Sequence, residues 1–397
     1  MNRRSRMTCL FLALPVLTMI FYPIVTRAEG VVIGAILPLS GTHAAFGHMQ
    51  KNSMLMAVEE INSRGGIGGE MLELDIRDSR GRTRSARAIV DHFVKDKQYS
   101  VVLGGFSSKV AAALADKSEQ RRIPLVVVTG SEDAITLQDY RYVFRVSPPR
   151  SRYLTAALVF YRSILEGGFG GGRIVLITEQ SAYGDATAWT VKQAASEARW
   201  TVTGEWRFET GSRNLETLYF GAAAGEPNAI FLTAFPPDAA KIIMELRKSI
   251  PNAVIFNLTP ASTVAGSYAQ CGVSCEGVMN PALWLPDVVQ SPVRYRDNYL
   301  ARFGSEPDYH GAQAYAAVIV ASEAIGRSGE AQPDPVRDAL ERIAVNTPYG
   351  KVSFRDWGGF VNQNDPANYL VQWTGSGLEV VWPREFRTAD PVLPNIN

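Results

Sequence analysis

Short apolar runs alternate with longer amphipathic stretches along most of this chain. Val31–Leu37 is an unbroken apolar run of strand length, followed by a Gly/Ser loop and a helical stretch on which Met54, Leu55, Val58 and Ile61 share one face. Gly65-Gly66 closes that helix. Residues 71–76 alternate apolar and polar as a strand does, 83–95 read as helix, 99–103 as strand, 110–120 as helix and 124–128 as strand. This rhythm predicts a mostly parallel sheet with helices on both faces. It restarts after Arg145. Helix 153–165 leads through the Gly-rich loop 167–172 to strand 173–178, then helix 184–197, strand 201–207, strand 229–232, helix 237–248 and strand 254–256. Two successive α/β halves predict two lobes with a cleft between them, a favoured place for a small ligand. Ligands of open α/β sheets sit beyond the carboxyl ends of the strands, so the loops after each strand carry the functional candidates.

Those loops are small and polar. Pro38-Leu39-Ser40-Gly41 follows the first strand, Gly104-Gly105-Phe106-Ser107-Ser108 the third, and Thr129-Gly130-Ser131 the fourth. Hydroxyls and backbone N–H groups at helix starts can hold an anion such as a carboxylate, although Ser and Thr also serve as ordinary helix caps.

The N-terminus bears on compartment. Arg3, Arg4 and Arg6 precede an apolar run from Cys9 to Val25 that Pro15 and Pro23 interrupt, and Thr26-Arg27-Ala28 is a small-residue exit. Residues 1–28 therefore read as an export signal cleaved after Ala28, rather than a retained anchor. Removing them leaves 36 basic against 39 acidic residues, a weakly acidic chain without the clustered Lys/Arg of a nucleic-acid binder. The remaining 369 residues are too many for one core. Two cysteines remain, Cys271 and Cys275; Gly272 between them favours a turn, so in an oxidising compartment they are a disulfide candidate, with two free thiols as the alternative. No second Cys/His pair suggests zinc, and His43, His48, His92 and His310 are scattered; neither a metal nor a cofactor is expected. The Gly-rich loop lacks a P-loop's Gly-Lys-Ser/Thr, and no G-x-S-x-G elbow or H-E-x-x-H helix occurs, so no enzyme is indicated and no catalytic residues are assigned.

The loops above, with Gly34-Ala35-Ile36-Leu37-Pro38-Leu39-Ser40-Gly41, Ala57-Val58-Glu59-Glu60-Ile61-Asn62, Gly65-Gly66-Ile67-Gly68-Gly69, Ile123-Pro124, Phe144-Arg145 and Tyr183-Gly184, resemble the leucine/isoleucine/valine-binding family of ABC-importer receptors over nearly all of 30–375. The resemblance implies a periplasmic-binding-protein type I fold: two Rossmann-like lobes with parallel sheets joined by a three-strand hinge. It implies a first lobe of 29–148 plus 282–357 and a second of 149–281 plus 358–397. It also implies a monomeric periplasmic receptor that binds a small polar ligand, an amino acid or a related carboxylate or amide, and docks on an inner-membrane permease. A ligand sensor signalling to a membrane partner, or an enzyme on the same scaffold, are the other readings. By the same resemblance Ser108 binds the ligand carboxylate, Thr129 does so through its backbone, and Ser131 replaces a threonine that meets carboxylate or ammonium. Phe46 covers the ligand side chain, Tyr183 reaches across from the second lobe, and Phe235 stands where tyrosine is common. His310 and Trp284 are further cleft candidates. One departure stands out: Asn257-Leu258-Thr259-Pro260 offers no carboxylate where amino-acid binders pair the ligand ammonium. Either another acid, with Asp238 a candidate, fills that role, or the ligand lacks an α-ammonium.

Overall fold

A computed structural model describes residues 30–394 apart from 97–98, 169–171, 264–265, 268–270, 289–293 and 376. The expected export signal and the centre of the Gly-rich loop lie outside the described residues.

The first half runs β1 (Val31–Leu37), α1 (Ala44–Ser63), β2 (Leu72–Asp78), α2 (Thr83–Asp96), β3 (Tyr99–Gly104), α3 (Ser108–Arg121), β4 (Leu125–Val127) and β5 (Val143–Arg145). The second runs α4 (Arg150–Glu166), β6 (Arg173–Glu179), α5 (Ala182–Ala198), β7 (Thr201–Phe208), α6 (Glu216–Ala224), β8 (Ala229–Thr233), α7 (Asp238–Ser249), β9 (Val254–Asn257) and β10 (Met279–Ala282). Helices α8 (Tyr295–Phe303), α9 (Tyr309–Ser328) and α10 (Pro333–Leu340) follow, then strands β11 (Ala344–Thr347), β12 (Gly350–Ser353), β13 (Arg355–Trp357), β14 (Phe360–Gln363), β15 (Tyr369–Thr374) and β16 (Gly377–Trp382).

Two seven-stranded sheets result, ordered β13-β14-β5-β4-β3-β1-β2 and β16-β15-β10-β9-β8-β6-β7, beside the small β11-β12 hairpin. Strands β1–β5 pair in parallel, as do β6–β10, while the C-terminal hairpins add antiparallel edges. Each sheet has apolar clusters on both faces. In the first lobe β1 sends Ile33, Ala35 and Leu37 toward α1 and α9, and Ile36 toward α2 and α3. In the second, β6 sends Ile174 and Leu176 toward α4 and α5, and Val175 and Ile177 toward α6 and α7. This is the doubly covered parallel sheet that the continuous apolar runs predict.

The chain passes between the lobes three times: between β5 and α4, between β10 and α8, and between β14 and β15. The expected break between 357 and 358 falls instead in the β13–β14 hairpin, because β14 pairs with β5 through Gln363 and Arg145 and so stays in the first sheet. The passages are laced together: Asn364 Nδ2 donates to the Val146 carbonyl at 2.9 Å, and Gln363 Nε2 to the Ser147 carbonyl at 2.9 Å. Two glycines permit close approaches beside the strand ends. A Cβ on Gly47 would meet the Pro38 carbonyl oxygen at 2.1 Å, and one on Gly184 the Glu179 carbonyl oxygen at 2.1 Å. Among the described residues no helix is long and apolar enough to cross a membrane.

Candidate ligand-binding cleft

The carboxyl ends of β3 and β4 build the first wall. Ser107 caps α3, its Oγ accepting from Val110 N–H at 3.4 Å. Ser108 opens that helix, and its Oγ accepts from the N–H groups of Ser131 and Glu132 at 3.3 and 3.2 Å. A serine hydroxyl has two lone pairs and one proton. With both lone pairs occupied, the Ser108 proton is what remains to offer, and it suits an anion. Ser131 is half-buried, with its N–H on Ser108 and its carbonyl accepting from Arg150 N–H at 2.7 Å. The hydroxyl of Tyr153 bonds the Ser131 side chain, and burial pushes its pKa up to about 12, which keeps it neutral. Thr129 is buried, and its hydroxyl accepts from Gln50 Nε2 of α1 at 2.8 Å.

Beneath this wall lies a buried cation. Arg145 is fully buried and donates to the Glu132 carbonyl at 2.6 Å, Thr136 Oγ1 at 2.6 Å and Gln363 Oε1 at 2.5 Å. Burial lowers its pKa to about 10, so it stays charged near neutral pH and fastens the loop 130–136 to the hinge.

The second lobe meets this loop at the start of α4. The Arg150 guanidinium pairs with the Glu132 carboxylate, and Asp133 Oδ1 accepts from Ser151 N–H at 3.1 Å, capping a second-lobe helix from the first lobe. Arg150 also lies 6.0 Å from the ring centre of Tyr183, whose ring is 5.6 Å from that of Phe235. The Tyr183 hydroxyl donates to the Leu258 carbonyl at 2.8 Å, and burial pushes its pKa far above the ordinary range, so it remains a neutral donor. Phe235 is partly exposed and lacks any such donor.

Aromatic rings form a further wall. Phe46, 37% exposed, lies 5.4 Å from Phe106 and 4.8 Å from His310; His43 lies 5.2 Å from Phe106. The structure thus brings Ser108, Ser131 and Thr129 together, sets Tyr183 beside Phe235, and groups Phe46 with His310. Trp284 departs from expectation: it packs in the first-lobe core against Tyr295, with Nε1 donating to the Pro348 carbonyl at 2.8 Å. It also borders a cavity of about 710 Å³ with Tyr309, Leu378 and Val380, which contains none of the six ligand-binding candidates. Arg150 and Tyr153 escaped the sequence reading; only folding unites residues from α4 with the loops after β3 and β4.

The acids near these loops are mostly committed. Glu132 and Asp133 are engaged as described. Asp238, the sequence candidate, accepts from Gly211 N–H at 2.7 Å and lies 3.8 Å from Lys241 Nζ. Thr259 is buried with no partner for its hydroxyl among the described residues. Asn257 is buried too, its amide donating to the Ala234 carbonyl and to Ser262 Oγ. Glu179, at the end of β6, is 7% exposed and has no side-chain partner among the described residues. Cys271 and Cys275 are joined as a disulfide, with their Cα atoms 5.6 Å apart, packed in the α7 face of the second lobe.

The family model described as "Periplasmic binding protein" matches residues 30–377. The chain belongs to that family. Periplasmic binding proteins of this kind are substrate-binding receptors of ABC transporters, not enzymes. The chain is 23% identical over 366 residues to a leucine-, isoleucine-, valine-, threonine- and alanine-binding protein of Pseudomonas aeruginosa, covering 90% of this chain and 94% of the relative. Among solved structures, a leucine-binding protein from Thermotoga maritima matches with a TM-score of 0.71 at 21% identity, covering 88% of this chain and 97% of that one. A solute-binding protein from R. palustris in complex with benzoate matches with a TM-score of 0.68 at 16% identity, covering 92% and 98%. Both share the two-lobed fold with this periplasmic binding protein.

Proposed function

We propose that this protein is the periplasmic solute receptor of an ABC importer, a monomer that closes its two lobes on a small carboxylate and delivers it to an inner-membrane permease. The observation that carries the reading is Ser108, whose hydroxyl accepts two backbone N–H groups and so keeps its proton to offer, with Ser131 and Arg150 alongside. Tyr183 meets the ligand from the second lobe, Phe46 and Phe235 cover its body, and the Thr129 backbone joins the carboxylate site. Contacts to both lobes favour the closed form, since only differential affinity shifts such an equilibrium. Export with cleavage after Ala28 places the receptor in the periplasm.

One relative is a leucine-, isoleucine-, valine-, threonine- and alanine-binding protein, and one structural neighbour is in complex with benzoate. Thr259 replaces an acid, and Asp238 is already engaged, which favours a carboxylate recognised without an α-ammonium. A second reading, an amino acid, is favoured by Glu179, a nearly buried carboxylate at the end of β6 with no partner among the described residues. Thermal unfolding of the chain from Glu29, against a panel of L-amino acids, amides, ureas and organic carboxylates, tests both. A ligand at a hundred times its dissociation constant adds about 2.7 kcal/mol to stability. A midpoint raised by carboxylates without an amino group supports the first reading; one raised by amino acids alone supports the second; no response from the whole panel defeats both.

A further inference from the structure

We propose that His310, held by Asp308, reads the far end of the ligand and selects a carboxylate whose apolar body carries a hydrogen-bond donor, a hydroxyl or N–H. The inference rests on the receptor reading above. Asp308 caps α9, one carboxylate oxygen accepting from His310 N–H at 2.8 Å. Both carboxylate oxygens also lie 3.0 Å from His310 Nδ1. An ionised carboxylate only accepts, so in the neutral imidazole the proton sits on Nδ1 and Nε2 carries a lone pair. That Nε2 has no hydrogen-bond partner among the described residues, yet it is not sealed from solvent.

The ring is fixed on three sides. Its centre is 4.0 Å from Tyr309, 4.8 Å from Phe46 and 5.3 Å from Phe106. Phe106 directly precedes Ser107-Ser108, so the imidazole borders the loop that presents the Ser108 hydroxyl. A wall that only covered an aliphatic side chain would be served by a carbocycle. An oriented acceptor, locked by a carboxylate behind it, suits a donor on the ligand. A site built to bond a substrate hydroxyl discriminates against the analogue that lacks it, because its own polar atom is left unpaired.

The experiment is calorimetry on the chain from Glu29, with 4-hydroxybenzoate and 4-methylbenzoate and with 4-hydroxyphenylacetate and 4-methylphenylacetate. The wild type should prefer the hydroxyl member of a pair by about tenfold, one well-placed hydrogen bond. His310→Phe should bring that preference close to unity, and His310→Gln, which keeps an acceptor, should retain part of it. An equal preference in wild type and His310→Phe, or a wild-type preference for methyl, overturns the inference and leaves the receptor reading standing. Failure of all four compounds to bind overturns the inference and leaves the carboxylate reading to the wider panel.

Discussion

Ser108→Ala removes the atom on which the carboxylate site is built. Its hydroxyl has one proton left to give, and a hydrogen bond from it to a carboxylate is charge-assisted, worth about 1.5–3 kcal/mol. The dissociation constant should therefore rise by about tenfold to a hundredfold. The substitution also takes an acceptor from the N–H groups of Ser131 and Glu132. Those bonds are long, at 3.3 and 3.2 Å, and the serine is only half-buried, so water can replace it and the loss of stability should stay near 1 kcal/mol. Ser107→Ala separates the two effects. It removes the α3 cap at Val110 N–H, lowering stability by about 0.5–1 kcal/mol, and leaves affinity unchanged within about twofold. Calorimetry with the tightest-binding carboxylate of the panel gives affinity, and urea unfolding gives stability. An unaltered dissociation constant in Ser108→Ala, or equal affinity losses in the two variants, would falsify the assignment of Ser108.

Arg145→Met leaves the Glu132 carbonyl, Thr136 and Gln363 without their donor, and should cost about 3 kcal/mol or more in urea unfolding, with weakened ligand binding because the loop 130–136 loosens. Reducing the Cys271–Cys275 bond, which closes a loop of sequence separation 4, should cost about 2 kcal/mol by the chain-entropy account, read as a lower midpoint in dithiothreitol that Cys271→Ser with Cys275→Ser reproduces. Glu179→Gln should leave the affinity for a simple carboxylate unchanged within about twofold; a large loss confined to amino acids would establish the second reading. Burial raises the Tyr153 pKa to about 12 in the folded chain, so its contribution is complete below about pH 10 and is lost as pH rises through 12. Unfolding titrations from pH 9 to 12 should show this loss, diminished in Tyr153→Phe.

The sequence was most legible where the period of the chain decides structure alone. Val31–Leu37 is a strand because an apolar run of seven between a Gly and a Pro-containing loop has few other folds open to it. The alternation of strand and helix then dictates covered parallel sheets. Helix α9 shows why the C-terminal third was harder: 14 of its 20 residues are buried, so its pattern has little of the amphipathic signal that marks α2 or α7. The third passage between lobes depends on Gln363 pairing with Arg145, a contact across more than two hundred residues that no local pattern encodes. The site divides in the same way. The hydroxyl-bearing loops are visible in the sequence because they follow strands. The two N–H groups that meet on the Ser108 hydroxyl and the Arg150–Glu132 pair emerge only once the loops are folded together.

The central claim is capture of a small carboxylate between lobes that close upon it. X-ray scattering from the chain beginning at Glu29, with and without the tightest-binding carboxylate of the panel, tests it most directly. The account predicts a smaller radius of gyration at saturation, and the same shift in Ser108→Ala only at the higher concentrations its weaker affinity demands. Saturable binding with no compaction, or compaction that Ser108→Ala leaves at its original midpoint, would contradict it.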